Sequence, residues 1–204
     1  MYCEFHATNI YCSKRGITVT AENATSDANL ERWTESLFNL YFKNQINRED
    51  FIEKIGICEN DFLEQLLHEM NEAFNLQNAG RVEHFIYALF LWDEQIGKEN
   101  VHGLEKFVDK LNEMLVSDWH HNHEDIVRLL QKISSVKSME YLYDAIELHP
   151  QYLAWDDNYA FEIKCVRAIY HIGKKESFPY LEKLCKHSNE AIREMAQRQI
   201  NKLM

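Results

Sequence analysis

Ile126-Val127-Arg128-Leu129-Leu130-Gln131-Lys132-Ile133 and, 39 residues further on, Cys165-Val166-Arg167-Ala168-Ile169-Tyr170-His171-Ile172 carry one pattern twice. Aligning Ile126, Leu130 and Ile133 with Cys165, Ile169 and Ile172 also sets Val127-Arg128 on Val166-Arg167 and Tyr141-Leu142 on Tyr180-Leu181. A partial third copy follows 31 residues later, where Ala196, Ile200 and Leu203 take the same three places. Spacing of three and four residues puts each trio on one face of a helix. A single helix pair cannot bury such a stripe, whereas stacked pairs close a continuous core. The pattern therefore predicts an all-α chain of antiparallel helix hairpins stacked as a short α-solenoid.

The same periodicity extends toward the N-terminus. Leu30, Trp33, Leu37, Leu40 and Tyr41 share a face over residues 28 to 46, and Glu59-Asn60-Asp61 opens a segment in which Phe62, Leu66, Met70, Ala73 and Phe74 do so. Asn78-Ala79-Gly80 reads as a glycine stop for that helix. Val82 to Ile96 is apolar around much of its circumference, and residues 101 to 117 face Leu104, Val108, Leu111 and Leu115 one way and charges the other. Residues 1 to 25 carry no decisive pattern: Gly16 to Thr20 has the composition of a short strand, and Ala24 to Asp27 that of a helix start. The organisation expected is a helical cap over residues 1–80, uncertain in its first 25, and helical repeats over 81–204, together one continuous domain.

Composition agrees with helices. Six glycines and two prolines in 204 residues are too few for a turn-rich sandwich or barrel. A formal charge of −11 repels a phosphate backbone and suits a basic partner, although the same charge also serves solubility. The five cysteines form no C-x-x-C pair, which indicates neither a disulfide framework nor a zinc ribbon. Glu4, His6 and Asn9 interrupt the start, and no run of about 18 apolar residues follows. A reducing, cytoplasmic setting without membrane contact is the expectation.

Ala168-Ile169-Tyr170-His171-Ile172-Gly173, then Pro179-Tyr180-Leu181-Glu182-Lys183-Leu184, then His187-Ser188-Asn189-Glu190-Ala191-Ile192-Arg193 resemble the HEAT repeats. In that family a first helix ends in an Ala-Leu-x-x-Ile-Gly-like pattern and a second carries Leu-x-x-Leu. Gly173 then serves as a left-handed helix stop, Ala168 and Ala196 admit close helix approach, and Asn189 caps the last helix. The earlier copy departs from the pattern, with Ser134 in the glycine position and Glu140 in the proline position. Trp119-His120-His121-Asn122-His123-Glu124-Asp125, leading into Ile126, further resembles the HEAT-repeat immunity proteins of bacterial toxin systems, including contact-dependent growth inhibition. That resemblance covers the C-terminal half and excludes residues 1 to 80. It implies binding of one cognate toxin domain, often a nuclease, with its active site occluded.

Asp118, His120, His121, His123, Glu124 and Asp125 offer imidazoles and carboxylates to a divalent metal, but no supporting second group is visible. The better reading is structural: Asn122 or His123 begins a helix, Glu124 and Asp125 occupy its first turn where the dipole favours anions, and Trp119 packs. No nucleophile elbow, phosphate loop or dinucleotide fingerprint is present, and Cys165 reads as core rather than as a partner for a catalytic His123. Neither catalytic residues, a metal nor a cofactor is expected. For binding, Tyr152, Trp155, Asp156, Asp157 and Tyr159 combine aromatic and acidic groups between repeats, although Asp156 and Asp157 equally suit a helix cap. With Trp119, His120, His123 and Glu124 they form the expected toxin-binding set. Glu140, Asp144, Glu147 and Glu182 suit either a concave binding surface or a solvated face.

The leading expectation is an immunity protein that neutralises a basic toxin domain. A HEAT-type scaffold or adaptor with a different protein partner is the alternative. A HEAT-like DNA glycosylase is a third, disfavoured because a basic groove is hard to build on this charge balance.

Overall fold

The structure, a computed structural model, describes residues 40–41, 43–47, 49–51, 59–95, 103–155 and 158–203. Among the described residues it is helical, with eight α-helices and no strand. They are α1 (Glu59–Asn75), α2 (Ala79–Gln95), α3 (Val108–Leu115), α4 (His123–Ile133), α5 (Ser138–Ala145), α6 (Ala160–Gly173), α7 (Phe178–Leu184) and α8 (Glu190–Asn201). Short 3-10 turns precede α3 at Glu105–Phe107, α6 at Gln151–Leu153 and α7 at Lys174–Ser177. The expected features of residues 1 to 39 lie outside the described part. No described helix is long and apolar enough to cross a membrane.

The repeat seen in the sequence is expressed as packing. Helices α4, α6 and α8, which carry the three copies, touch in succession. Helix α3 pairs with α4, α5 with α6, and α7 with α8, while α3 also lies against α5. The repeated stripe positions Ile126, Leu130, Ile133, Cys165, Ile169, Ile172, Ala196 and Ile200 are all buried. Ala168 is buried as well, where a small side chain allows α6 to meet its neighbours closely. One apolar cluster runs from Phe51 through α1 and α2 to Ile200, so no break in the core occurs at residue 80.

Three helix boundaries differ from the sequence expectation. Gly80 does not stop α1. It lies in the first turn of α2, because the Asn78 Oδ1 accepts from the Arg81 N–H at 3.1 Å and starts that helix, while Gln77 supplies the left-handed turn (φ 50). The expected helix over 101 to 117 becomes a 3-10 turn followed by α3, with residues 101 and 102 outside the described part.

Gly173 is not left-handed either: its φ is −84, and the positive φ falls on Lys174 at 48. Glycine is required there for space. A Cβ at Gly173 would collide with the Met139 Sδ on α5 and come within 3.0 Å of the Ser177 Cβ. In the earlier copy Ser134 itself takes the left-handed position, with φ 59. This closes α4 without a glycine.

Asn189 caps α8 as expected, its Oδ1 accepting from the Ala191 N–H at 2.9 Å and the Ile192 N–H at 3.3 Å. Asn189→Ala should lower stability by about 1 kcal/mol, a fall of about 2–4 °C in thermal midpoint for a chain of this size. An unchanged midpoint in a melting experiment would show that the cap contributes nothing.

Candidate functional site

Three connections, residues 116–122, 146–159 and 185–189, join α3 to α4, α5 to α6 and α7 to α8, and they meet along one edge of the stack. Tyr152 of the second connection packs on His121 of the first, with ring centroids 4.7 Å apart. Glu147, just after α5, accepts from the His187 Nε2 of the third connection at 2.9 Å. This loop edge is the candidate site, because Tyr152, Trp155 and Tyr159 of the expected binding set belong to its second connection and His120 to its first.

His120 and His123 are completely buried, which corrects the expectation that they meet a partner directly. Every ring nitrogen has a protein partner. The His120 Nε2–H donates to the Met114 carbonyl at 2.8 Å, and its Nδ1 accepts the Asn122 N–H at 3.2 Å. The His123 Nε2–H donates to the Ser117 carbonyl at 2.7 Å, so in the neutral ring Nδ1 accepts from the Tyr152 hydroxyl at 3.2 Å. Burial, reinforced by the neighbouring His120, lowers the His123 pKa to about 4. Burial lowers that of His120 too, and pushes the Tyr152 phenol up to about 12. The pair is thus built to stay neutral and to hold loops in place.

The rings continue this support across the molecule. Phe74 of α1 meets Trp119 edge-on at 5.6 Å between centroids, and Trp119 meets His120 at 5.1 Å. His120 stacks on His123 at 4.4 Å, which in turn contacts Tyr152 and Phe161, each at 5.6 Å. Trp119 therefore packs, as expected. Glu124 forms an ion pair with Lys164 of α6 at 2.6 Å rather than facing a partner alone. Among the described residues no group of three His, Cys, Asp or Glu side chains is arranged to hold a metal ion. Cys165 is wholly buried and its thiol is raised well above the usual range by burial, which makes it core.

Trp155 is the outward member of the set. Tyr152, fixed to His123, anchors the 3-10 turn three residues before it, and Trp155 stands 78% exposed. Asp156 and Asp157 lie outside the described residues. Tyr159 lines a groove of about 470 Å³ together with His149, Leu153, Glu162, His187 and Asn189. These groove residues other than Tyr159 were not expected from the sequence. The offset between repeats held the relevant signal, since it sets the connections after α5 and α7 on one edge. His149 and Tyr159 both sit in the left-handed region, at φ 44 and 55, a strain of about 1–3 kcal/mol each that the surrounding packing must hold.

No family model, curated protein or solved structure matches this chain.

Proposed function

We propose that the chain is a binding protein with a short HEAT-like solenoid architecture, and that its loop edge captures a basic protein domain. The layering of α4, α6 and α8 beside α3 and α5 supports the solenoid reading. The observation that carries the binding reading is Trp155, a large apolar side chain standing 78% exposed on a turn that is itself anchored. An exposed aromatic on a rigid base is the usual form of an interface anchor, because little ordering entropy is lost when it is covered. A charge of −11 favours a basic partner and speeds encounter.

The resemblance of residues 119 to 125 to HEAT-repeat immunity proteins narrows this to neutralisation of a cognate toxin domain, in which acidic side chains occupy the place of an anionic substrate. A nuclease is the toxin class this charge balance suits best. The second reading, a HEAT-type adaptor with another protein partner, is favoured by one observation: His120 and His123 of that segment are used internally, as any such scaffold could use them.

Co-expression with the polypeptide encoded directly upstream tests the first reading. Restored growth and a stoichiometric complex are the expected result, whereas neither rescue nor complex leaves the adaptor. In such a complex Trp155→Ala should weaken affinity by roughly 30-fold without moving the thermal midpoint of the free protein. An unchanged dissociation constant would remove Trp155 from the interface.

A further inference from the structure

The groove lined by Tyr159 and Glu162 has a chemistry that the exposed Trp155 alone does not explain. Glu162 lies in the first turn of α6, where the helix dipole favours an anion, and its side chain is 9% exposed at the groove wall. One carboxylate oxygen accepts from the His149 Nδ1 at 3.0 Å. A carboxylate has about four acceptor positions, so this contact leaves acceptor capacity on a residue that lines the groove. Across the groove His187 is turned onto Glu147, at 2.9 Å, and so is held by a carboxylate of its own.

Arg193, bonded to the same wall, donates from Nη1 to the carbonyls of His187 and Ser188 at 2.8 and 2.6 Å; it braces the third connection and does not line the groove. Leu153 and Tyr159 supply apolar and aromatic surface between these polar ends.

We infer that this groove seats an arginine side chain of the protein partner, with its guanidinium on the Glu162 carboxylate and its stem against Leu153 and Tyr159. The inference deepens the binding reading above and rests on it. A buried carboxylate, an aromatic wall and a cavity far wider than one water molecule together suit a planar cation that both forms paired hydrogen bonds and stacks. Arginine meets these requirements better than lysine, whose compact ammonium is more strongly hydrated and does not stack. The net negative charge of the chain draws such a partner from solution.

The test uses the full chain and a blocked arginine, N-acetyl-arginine amide, titrated while backbone amide shifts are followed. Its neutral citrulline counterpart serves as the control. Saturable shifts at Tyr159, Glu162 and Asn189 are expected with arginine, and should weaken at least about tenfold with citrulline or in Glu162→Gln. Equal responses to both probes, or shifts centred elsewhere, would overturn the inference.

If Glu162→Gln does not fold, Ser188→Phe narrows the groove from its exposed rim while leaving the carboxylate in place. It should abolish the response, and full retention would count against the groove. The two readings fail separately. Seating of the arginine probe without any complex with the upstream polypeptide keeps the groove and removes toxin neutralisation. A complex of undiminished affinity in Glu162→Gln keeps neutralisation and removes the arginine seat.

Discussion

Phe161→Ala should reduce unfolding free energy by about 3–5 kcal/mol, a large share of the roughly 5–15 kcal/mol that holds a domain of ordinary stability. Phe161 is 1% exposed at the start of α6 and stands edge-on to His123, so truncation leaves a cavity at the point where α4, α6 and the second connection meet. The loss exceeds that of an isolated methyl group because His123 is fixed on one side by this ring and on the other by Tyr152. Phe161→Leu keeps most of the volume and should cost less than about 1.5 kcal/mol. Urea unfolding of the two variants checks both values. Near-equal midpoints for wild type and Phe161→Ala would mean that the site has collapsed around the lost ring and that the aromatic chain is not a structural spine.

Because the same contacts hold Tyr152, the damage should reach the loop edge. Tyr152 anchors the turn that presents Trp155, and Tyr159 follows on the far side of it. A loosened Tyr152 makes the partner meet a segment that must be ordered on binding, which lowers affinity without removing a contact. On the proposed binding reading, fold stability and affinity are thus joined through His123.

The helices were legible in the sequence because an apolar stripe is a local pattern with a period. Ile126, Cys165 and Ala196 fall at equivalent places in three helices that touch, and the spacing alone aligned them. The Asn189 cap was legible for the same reason, since its partners lie two and three residues away. Gly80 was misread because the left-handed turn falls on Gln77 instead, and Gly173 because glycine serves two purposes. The sequence reveals its freedom of φ but not which distant atom needs the missing Cβ, and the neighbour of Gly173 is Met139 on another helix.

The histidines were misplaced by the same kind of non-local dependence. His120 and His123 count as polar in a sequence, and polar groups belong at the surface unless every hydrogen-bonding atom is matched. Their partners are two carbonyls six residues back, an amide two residues on and the Tyr152 hydroxyl, which is 29 residues away. Only a folded chain supplies that set. Trp155, a binding candidate in the sequence, stands exposed, whereas Glu162, one charge among many on a helix, stands out only through the groove it lines.

Acid should weaken the fold in a window set by His123. Its pKa falls from 6.5 in the unfolded chain to about 4 in the folded one. Between those values the unfolded state binds the extra proton and the folded state refuses it, so stability falls as pH falls. The contribution is fully present above about pH 6.5. It declines toward pH 4, for a total loss of about 3 kcal/mol. His120, also lowered by burial, acts in the same direction. Protonation would place a proton on the His123 Nδ1, facing the Tyr152 hydroxyl that now donates to it, and would put positive charge beside the rings of His120 and His121. Carboxylates titrate across part of this range, so the decisive measurement is a comparison. Urea midpoints of wild type and His123→Phe would be taken at pH 7.5, 6.5, 5.5 and 4.5. At pH 7.5 the variant should be less stable by about 1–3 kcal/mol, since the Ser117 carbonyl and the Tyr152 hydroxyl lose their partner. That gap should narrow, and can reverse, as the pH approaches 4.5, because phenylalanine has no proton to refuse. Two parallel curves would show that His123 does not set the acid response, and the coupling of this buried pair to the loop edge would then rest on packing alone.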